Sequence, residues 1–202
     1  MGIATLLADR PRIVPPSYGS RFFPGRAART RSATPQGSVW VFLELHQGCA
    51  SPLIWGLVGE GRRLAERRGV ELGAVLLGPS MRALQPVALE AFSYGVDTVH
   101  IVEASALGRY DRDAFTGALA GLVERYRPGA VVFAASQIAH DLADNLSAAL
   151  GVPSVEDLVD LNDSALAIAA ITPDPAALPK QQSGRTGQII LEPLWGTGWA
   201  RA

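Results

Sequence analysis

The sequence predicts an α/β fold of three layers, a parallel β-sheet with helices on both faces. Short continuous apolar runs, such as residues 130–135, are typical of strands that are buried on both sides. Segments with a helical period of apolar residues alternate with these runs, and the connections between them are short. Such crossovers are almost always right-handed, so helices are expected on both faces. The order of the strands does not follow from this alternation.

Composition limits the class of protein. The chain has 202 residues, 48% of them hydrophobic and 18% charged, which suits one domain with a buried core plus extensions. A net charge of −1 argues against a general nucleic-acid binder. No apolar run approaches the ~18 residues of a membrane span. Cys49 is the single cysteine, which excludes disulfides and multi-cysteine zinc sites within the chain.

Residues 1–38 differ from the rest. They hold six arginines against one acid, a net charge of +5. Because the whole chain has a net charge of −1, residues 39–202 have a net charge of −6. They also hold five prolines and no sustained periodicity, which predicts a disordered basic tail ahead of a folded domain at 39–202. A bacterial extension or misassigned start and an organellar transit peptide both fit this composition. The expected compartment is therefore the bacterial cytoplasm, or the mitochondrial matrix if the tail is a transit peptide.

Three strands are predicted ahead of the central stretch, each rich in branched or aromatic residues: 38–45, 72–77 and 98–102. Three helices follow them in turn, at 55–68, 80–94 and 111–126. Gly69 ends the first helix and Asp111 caps the third. Pro86 is expected to kink the second helix or to start a new segment within it.

Residues 127–157 are the stretch around which the chain is organised. The buried run 130–135 is followed by the polar pair Ser136 and Gln137 and then by a helix. Apolar residues recur every four positions along that helix and form one face of it: Ile138, Leu142, Leu146 and Leu150. Gly151 is a C-terminal cap, and Pro153 stops the helix before the next strand begins.

Polar residues therefore collect where the central strand turns into its helix, the edge at which open α/β sheets bind ligands. Ser136 is interpreted first as the helix N-cap, which accepts a backbone N–H. The alternative is that Ser136 and Gln137 contact an anion or a ribose, because helix N-termini favour anions. Catalysis by Ser136, His140 and Asp141 is disfavoured, because adjacent helical residues point about 100° apart.

Other residues have structural interpretations. His46 and His100 are expected to be surface or packed histidines rather than metal ligands. Asp141 and Asp144 lie near a helix start, where carboxylates complement the helix dipole. Trp55 and Trp195 are expected in the core, with interface anchors as the alternative. Four arginines are expected on a solvated helix face: Arg62, Arg63, Arg67 and Arg68.

Several motifs resemble one family in order. RPGAVVFAASQIAHDLA at 127–143 is similar to a strand–loop–helix pattern of the alpha subunit of electron transfer flavoproteins. Five further segments resemble the same family: Glu44 with Gly48, GEGRRLA at 59–65, AVLLG at 74–78, YGVDTV at 94–99 and DLVDL at 157–161. After an apparent insertion at 165–182, loop-like from Thr172 onward, GQIILEPLWGTG at 187–198 resembles a later strand and turn, with Glu192 in place of an arginine.

The resemblance implies a Rossmann-like, adenine-nucleotide-hydrolase-like fold and a part in FAD-dependent electron transfer. The partners implied are a beta subunit and, through the complex, acyl-CoA dehydrogenase-type electron donors. In that family a second domain carries most of the FAD contacts. The sequence is expected to end before that domain, so the chain would supply scaffold and subunit interface and bind no flavin by itself.

Candidate cofactor-binding residues are Ser136, Gln137 and Asp141 at the strand-end loop; no catalytic residue and no metal ligand is predicted. Two alternatives stay open: a free-standing adenine-nucleotide-binding module and a gene fragment without function of its own. Uncovered apolar residues near the end of the chain predict self-association or poor solubility without a partner: Leu191, Leu194, Trp195 and Trp199.

Overall fold

A computed structural model of the chain describes residues 13–14, 37–152, 154–155, 167–171 and 179–193. In chain order its elements are β1 (Ile13–Val14), β2 (Val39–Phe42), β3 (Leu45–His46), β4 (Cys49–Ala50), α1 (Pro52–Arg68), β5 (Leu72–Gly78), α2 (Met81–Ser93), β6 (Thr98–Glu103), a 3-10 turn (Ser105–Gly108), α3 (Arg112–Tyr126), β7 (Ala130–Ala134), α4 (Gln137–Leu150), β8 (Ser154–Val155), β9 (Ala167–Ile171) and β10 (Gln188–Pro193).

Within the described residues, eight strands form one sheet in the order β1-β10-β6-β5-β2-β7-β9-β8. Every neighbouring pair in it is parallel. β3 and β4 form a separate antiparallel hairpin beyond the end of β2. The predicted fold class, a parallel sheet with helices on both faces, is therefore confirmed.

Two cores lie on opposite faces of the sheet. Successive side chains of β2 belong to different cores. Val39 and Val41 pack with α1 and α2, whereas Trp40 and Phe42 pack with α3 and α4. The central strands have every residue buried, as their unbroken apolar runs require. Right-handed crossovers explain this arrangement of the helices. From β2 to β5 and β6 the chain crosses the sheet in one direction, which places α1 and α2 on one face. It then returns in the opposite direction to β7 and beyond, which places α3 and α4 on the other face.

Pro86 does not start a second helix. α2 runs without interruption from Met81 to Ser93 with Pro86 inside it. Pro86 is the sixth residue of the helix and is exposed, so its missing N–H removes a single bond, the one to the carbonyl of Arg82. Packing of Leu84, Ala88 and Phe92 against the sheet outweighs that loss.

Besides the two-residue strand β1, the strand β9 and the β3–β4 hairpin were not predicted. β9 lies inside the stretch expected to be an insertion, and it pairs with both β7 and β8. Its sequence, AIAAI, is rich in alanine, which favours helices, and burial between two strands overrides that preference. The β3–β4 hairpin depends on Gln47 and Gly48, with φ of 51° and 80°, the conformation of a tight two-residue hairpin turn.

The segment leading into β10 is fixed at the amino edge of the sheet by Asp97. Its carboxylate accepts from Arg62 at 2.8 Å, from Arg185 at 2.7 Å and from the amide of Leu72 at 3.0 Å. Burial alone would raise the pKa of Asp97, but these donors outweigh it and hold the pKa below its usual range. β10 thereby reaches its place between β6 and β1.

Most of residues 1–38, predicted to be a disordered tail, lies outside the described residues. Within it, Ile13–Val14 pair with β10 as an edge strand. The other three residues of the apolar cluster predicted near the end of the chain, residues 194, 195 and 199, also lie outside. Leu191 is partly buried and packs against the α1–α2 core.

Candidate functional site

The carboxyl ends of β2 and β7 form the topological switch point of the sheet. From β2 the chain proceeds through α1 to β5 and through α2 to β6, and α3 then returns it to β7 on the opposite side of β2. The loops that leave β2 and β7 therefore diverge to opposite faces and open a crevice between them. In open α/β sheets this crevice is where ligands bind.

Glu44 and Ser136 meet at this crevice. β2 and β7 pair from Val39↔Ala130 to Val41↔Val132, so the residues just beyond their ends lie side by side. The hydroxyl of Ser136 donates to Oε2 of Glu44 at 2.5 Å. Both residues are partly buried. The two loops at the switch point are thus joined by one charge-assisted hydrogen bond.

Ser136 is also the N-cap of α4, and this prediction is confirmed. Its backbone is extended (φ −100°, ψ 163°), and its Oγ accepts from the amide of Ala139 at 3.0 Å. The amide of His140 donates to the carbonyl of Ser136 at 2.9 Å. A ligand at this helix end would therefore have to use the amides of Gln137 and Ile138.

The side chain of Gln137 is exposed at the mouth of the crevice. The β3–β4 hairpin follows Glu44 directly in the chain, and its His46 and Cys49 are exposed. Gln137 is therefore open to solvent, whereas the hydroxyl of Ser136 has its proton directed at Glu44 and an oxygen lone pair directed at Ala139.

Asp141 lies one turn further along α4 and points toward the start of α3. Its Oδ2 accepts from the hydroxyl of Tyr110 at 2.5 Å and from Nε of Arg112 at 3.2 Å, and its Oδ1 lies 3.1 Å from the Arg112 guanidinium. Asn145 donates to Oδ1 at 3.3 Å. The carboxylate thus links α4 to the 110–112 connection.

These contacts shift the pKa values of Asp141 and Tyr110 in opposite directions. The hydrogen bond from Tyr110, followed by that from Arg112, holds the pKa of Asp141 below its usual range. Burial, together with the hydrogen bond to Asp141, raises the pKa of Tyr110 well above its ordinary value. Asp141 is therefore ionised at neutral pH and Tyr110 is protonated, as their hydrogen bond requires.

The remaining predicted residues have structural or surface positions. His46 and His140 are exposed, whereas His100 is packed between Trp40 and Tyr126, with ring centroids 4.5 and 4.6 Å away. Trp55 is buried and stacks on Tyr94 at 4.6 Å, the expected core position. Asp144 is exposed on α4. Residue 195 lies outside the described part of the chain.

Arg62 differs from the expected solvated face, because its guanidinium is directed at Asp97 and at the carbonyl of Gly95. Arg63 and Arg67 are exposed, as predicted, and Arg68 is half-buried. Across the described ranges, no group of three or more His, Cys, Asp or Glu side chains is arranged to hold a metal ion. Within those same ranges no helix has the length and hydropathy to cross a membrane.

Sequence reasoning did not identify Glu44 as part of the site. Glu44 follows a buried strand without being adjacent in sequence to any other candidate, and its partner is 92 residues away. The available signal was a polar residue close behind an apolar run, as at Ser136, but the strand predicted at 38–45 included Glu44, whereas β2 ends at Phe42. Two such residues become neighbours only once β2 and β7 are known to be adjacent.

Comparison with known proteins identifies the domain. Residues 39–179 match the electron transfer flavoprotein domain model. Protein FixB of Azorhizobium caulinodans is 32% identical over 200 residues, covering 84% of this chain and 54% of that protein. The electron transfer flavoprotein subunit alpha of Thermoanaerobacterium thermosaccharolyticum is 29% identical, over 61% of this chain and 37% of that protein.

A third relative is the acryloyl-CoA reductase electron transfer subunit beta of Anaerotignum propionicum, 31% identical over 61% of this chain and 33% of that protein. The chain thus spans about half the length of the FixB protein, or less in the other two cases. The matched range of the domain model begins at β2 and contains the whole switch point.

Proposed function

The chain belongs to the electron transfer flavoprotein domain family, and from that premise we propose that it acts as the amino-terminal, scaffold part of an alpha-type subunit. The observation that supports this proposal most directly is the match of residues 39–179 to the domain model. In this role the chain pairs with a beta-type subunit and helps to form an FAD-dependent electron carrier. It transfers electrons as part of a complex and performs no catalysis by itself.

The proposed division of labour follows from the family. The central strands of the described residues 37–152 are covered by apolar side chains on both faces. In alpha subunits of electron transfer flavoproteins a second domain carries most of the FAD contacts, so we assign FAD binding to other parts of the complex. Electron donors of the acyl-CoA dehydrogenase type fit this proposal, and one relative is an electron transfer subunit of an acryloyl-CoA reductase. The bacterial cytoplasm is the proposed compartment.

Co-expression tests the pairing. The full chain is produced alone and together with a beta-type subunit, and both samples are examined by size-exclusion chromatography and flavin absorbance. We expect the chain alone to be colourless and to self-associate, and the pair to elute as one stoichiometric species. A monodisperse monomer that does not bind the beta-type subunit would contradict the proposal, as would a stoichiometric flavin spectrum from the chain alone.

A free-standing adenine-nucleotide-binding module is the second candidate, and the switch point is the observation that favours it. Ser136 and Gln137 would then contact the ligand at the start of α4. Asp141, included in the predicted cofactor set, would act indirectly by fixing α4, because its carboxylate is directed at Tyr110 and Arg112. Calorimetric titration with FAD, AMP and ATP distinguishes this candidate: binding of AMP or ATP by the chain alone would favour it over the scaffold role.

A further inference from the structure

We propose that the outer edge of β10 is a docking site for an extended peptide segment, and that residues 11–16 of the same chain fill it. The two sides of β10 are paired unequally. On one side β6 pairs with every residue of the strand, from Gln188 to Pro193. On the other side, within the described residues, β1 pairs with Ile189 and Ile190 alone. Both strands of this contact lie outside residues 39–179, the range that matches the domain model.

A sheet edge of this kind accepts further strands. It presents backbone N–H and C=O groups that another extended segment can pair with. In recognition by strand addition these main-chain groups supply the affinity. Since β10 runs parallel to both of its neighbours, the added segment is parallel to β10. The ligand that fits is therefore an extended peptide, held by its backbone.

The sequence of residues 11–16, PRIVPP, suits this edge. Ile13 and Val14 are β-branched, which favours a strand. A proline stands two residues before Ile13, and two prolines follow Val14 directly. Proline has no N–H to donate, so within sheets it is confined to edge strands, strand ends and bulges. Short edge strands and edge prolines are devices by which proteins limit further pairing. This segment can therefore fill the β10 edge without extending the sheet.

The same chain can supply the segment. In the sheet β1 is separated from β2 by β10, β6 and β5, so four steps of about 4.8 Å place the two strands about 20 Å apart. Residues 15–38 connect them along the chain. A connection of this length can span up to about 80 Å when fully extended. A second copy of the chain is therefore not needed to fill the edge.

The first test fixes the occupant by disulfide cross-linking of the full chain. Val14 and Ile190 are Cα partners, and neighbouring strands lie about 4.8 Å apart, within the range that a disulfide bridges. With Cys49→Ser to remove the natural thiol, the pair Val14→Cys and Ile190→Cys should lose both free thiols within one chain. The matched control, Val14→Cys with Gln188→Cys, is displaced by two residues and exceeds the limit of about 7 Å, so it should stay reduced. Non-reducing electrophoresis and thiol titration measure both pairs.

The second test measures docking with a fluorescently labelled peptide of residues 8–18. The full chain carrying Ile13→Pro and Val14→Pro loses the backbone donors of its own segment. We expect it to bind the peptide at least about tenfold more tightly than the wild type, in which the tethered segment competes at an effective concentration on the order of millimolar. Fluorescence anisotropy gives both affinities.

Two controls accompany this titration. The chain with Ala27→Pro and Ala28→Pro adds the same two prolines ahead of β2 and should bind the peptide no better than the wild type. A peptide that carries prolines at positions 13 and 14 keeps the charge of the probe and should not bind. Thermal unfolding verifies that each variant is folded, as expected when two residues at a sheet edge are changed.

Disulfide-linked dimers in place of the intrachain bond would show that a second copy supplies the strand and would overturn the assignment of the occupant. Equal oxidation of the two cysteine pairs would contradict the register. Equal peptide affinity of the wild type and the Ile13→Pro, Val14→Pro chain, or no binding to either, would overturn the docking site. The failure of the chain to pair with a beta-type subunit would contradict the proposed function and leave this inference unaffected.

Discussion

The hydroxyl of Tyr110 donates to Oδ2 of Asp141 at 2.5 Å, and this bond joins the connection before α3 to the second turn of α4. Arg112, two residues after Tyr110, forms an ion pair with the other carboxylate oxygen at 3.1 Å. The two helices that cover one face of the sheet are therefore linked near the candidate site by one carboxylate. Disturbing Asp141 should change the stability of this helix pair without removing any ligand contact.

Asp141→Asn is expected to lower the thermal midpoint at neutral pH and to weaken the acid dependence of stability. The folded pKa of Asp141 is below its unfolded value of about 3.9, so its contribution is complete above that pH and is lost as the pH falls through the folded pKa. Thermal unfolding between neutral and strongly acidic pH measures both effects. Asp144→Asn, an exposed carboxylate on the same helix, is the control and should change little. Equal behaviour of the two variants would refute the role of Asp141.

Ser136→Ala is expected to cost more than the loss of a helix cap alone. Removal of an N-cap side chain costs about 0.5–2 kcal/mol, and this substitution also leaves Glu44 without its donor. Asp111→Ala provides the comparison, because Asp111 caps α3 by accepting from the amide of Ala114 at 2.9 Å. Urea unfolding gives the free energy of each variant. A smaller loss at Ser136 than at Asp111 would show that the Glu44 contact adds nothing to stability.

Particular elements show why part of the fold could be predicted from the sequence and part could not. β7 and α4 were predicted because their signals are local: an unbroken apolar run, a capping serine and a four-residue apolar period. β9 was not, since AIAAI has no turn residues or alternation that separate a strand from a helix. The order of strands was also beyond reach, because alternating strands and helices are compatible with several parallel orders. Pairs that depend on that order, such as Glu44 with Ser136, could not be predicted.

Gly187→Ala is expected to destabilise the fold, whereas Gly117→Ala should not. A Cβ at position 187 would meet the ring of Phe92 and would lie 2.7 Å from the carbonyl oxygen of Asp97, so β10 or Phe92 would have to shift. Overpacking of this kind costs about 1–3 kcal/mol. At Gly117, inside α3, a Cβ meets nothing within 4 Å, and alanine there should stabilise by about 0.5–1 kcal/mol.

Chemical denaturation gives the free energy of unfolding of the two glycine variants. The same change to alanine should lower that free energy at position 187 and raise it at position 117. The result also tests the position of β10, since the obstruction at residue 187 exists only if the segment before β10 passes over Phe92. Equal effects of the two variants would contradict the described path of that segment.

Buried His100 is expected to make stability fall with acid in a defined pH range. His100 lies on β6, 4% exposed, between the rings of Trp40 and Tyr126, and its Nδ1 has no hydrogen-bond partner among the described residues. Burial lowers its pKa to about 4 from the usual value of 6.5. The folded state thus holds this imidazole neutral at pH values where the unfolded chain would protonate it.

Below pH 6.5 the unfolded state binds a proton that the folded state does not, so the unfolding free energy falls as the pH drops toward 4. The shift corresponds to a loss of about 3 kcal/mol across that range. His100→Phe keeps an aromatic ring between Trp40 and Tyr126 and removes the titration, so its stability should depend less on pH between 6.5 and 4. His140→Gln, which replaces an exposed histidine, is the control for the loss of a histidine and should follow the wild type. Urea unfolding at a series of pH values makes the comparison, and identical pH profiles for wild type and His100→Phe would show that His100 is not the group responsible.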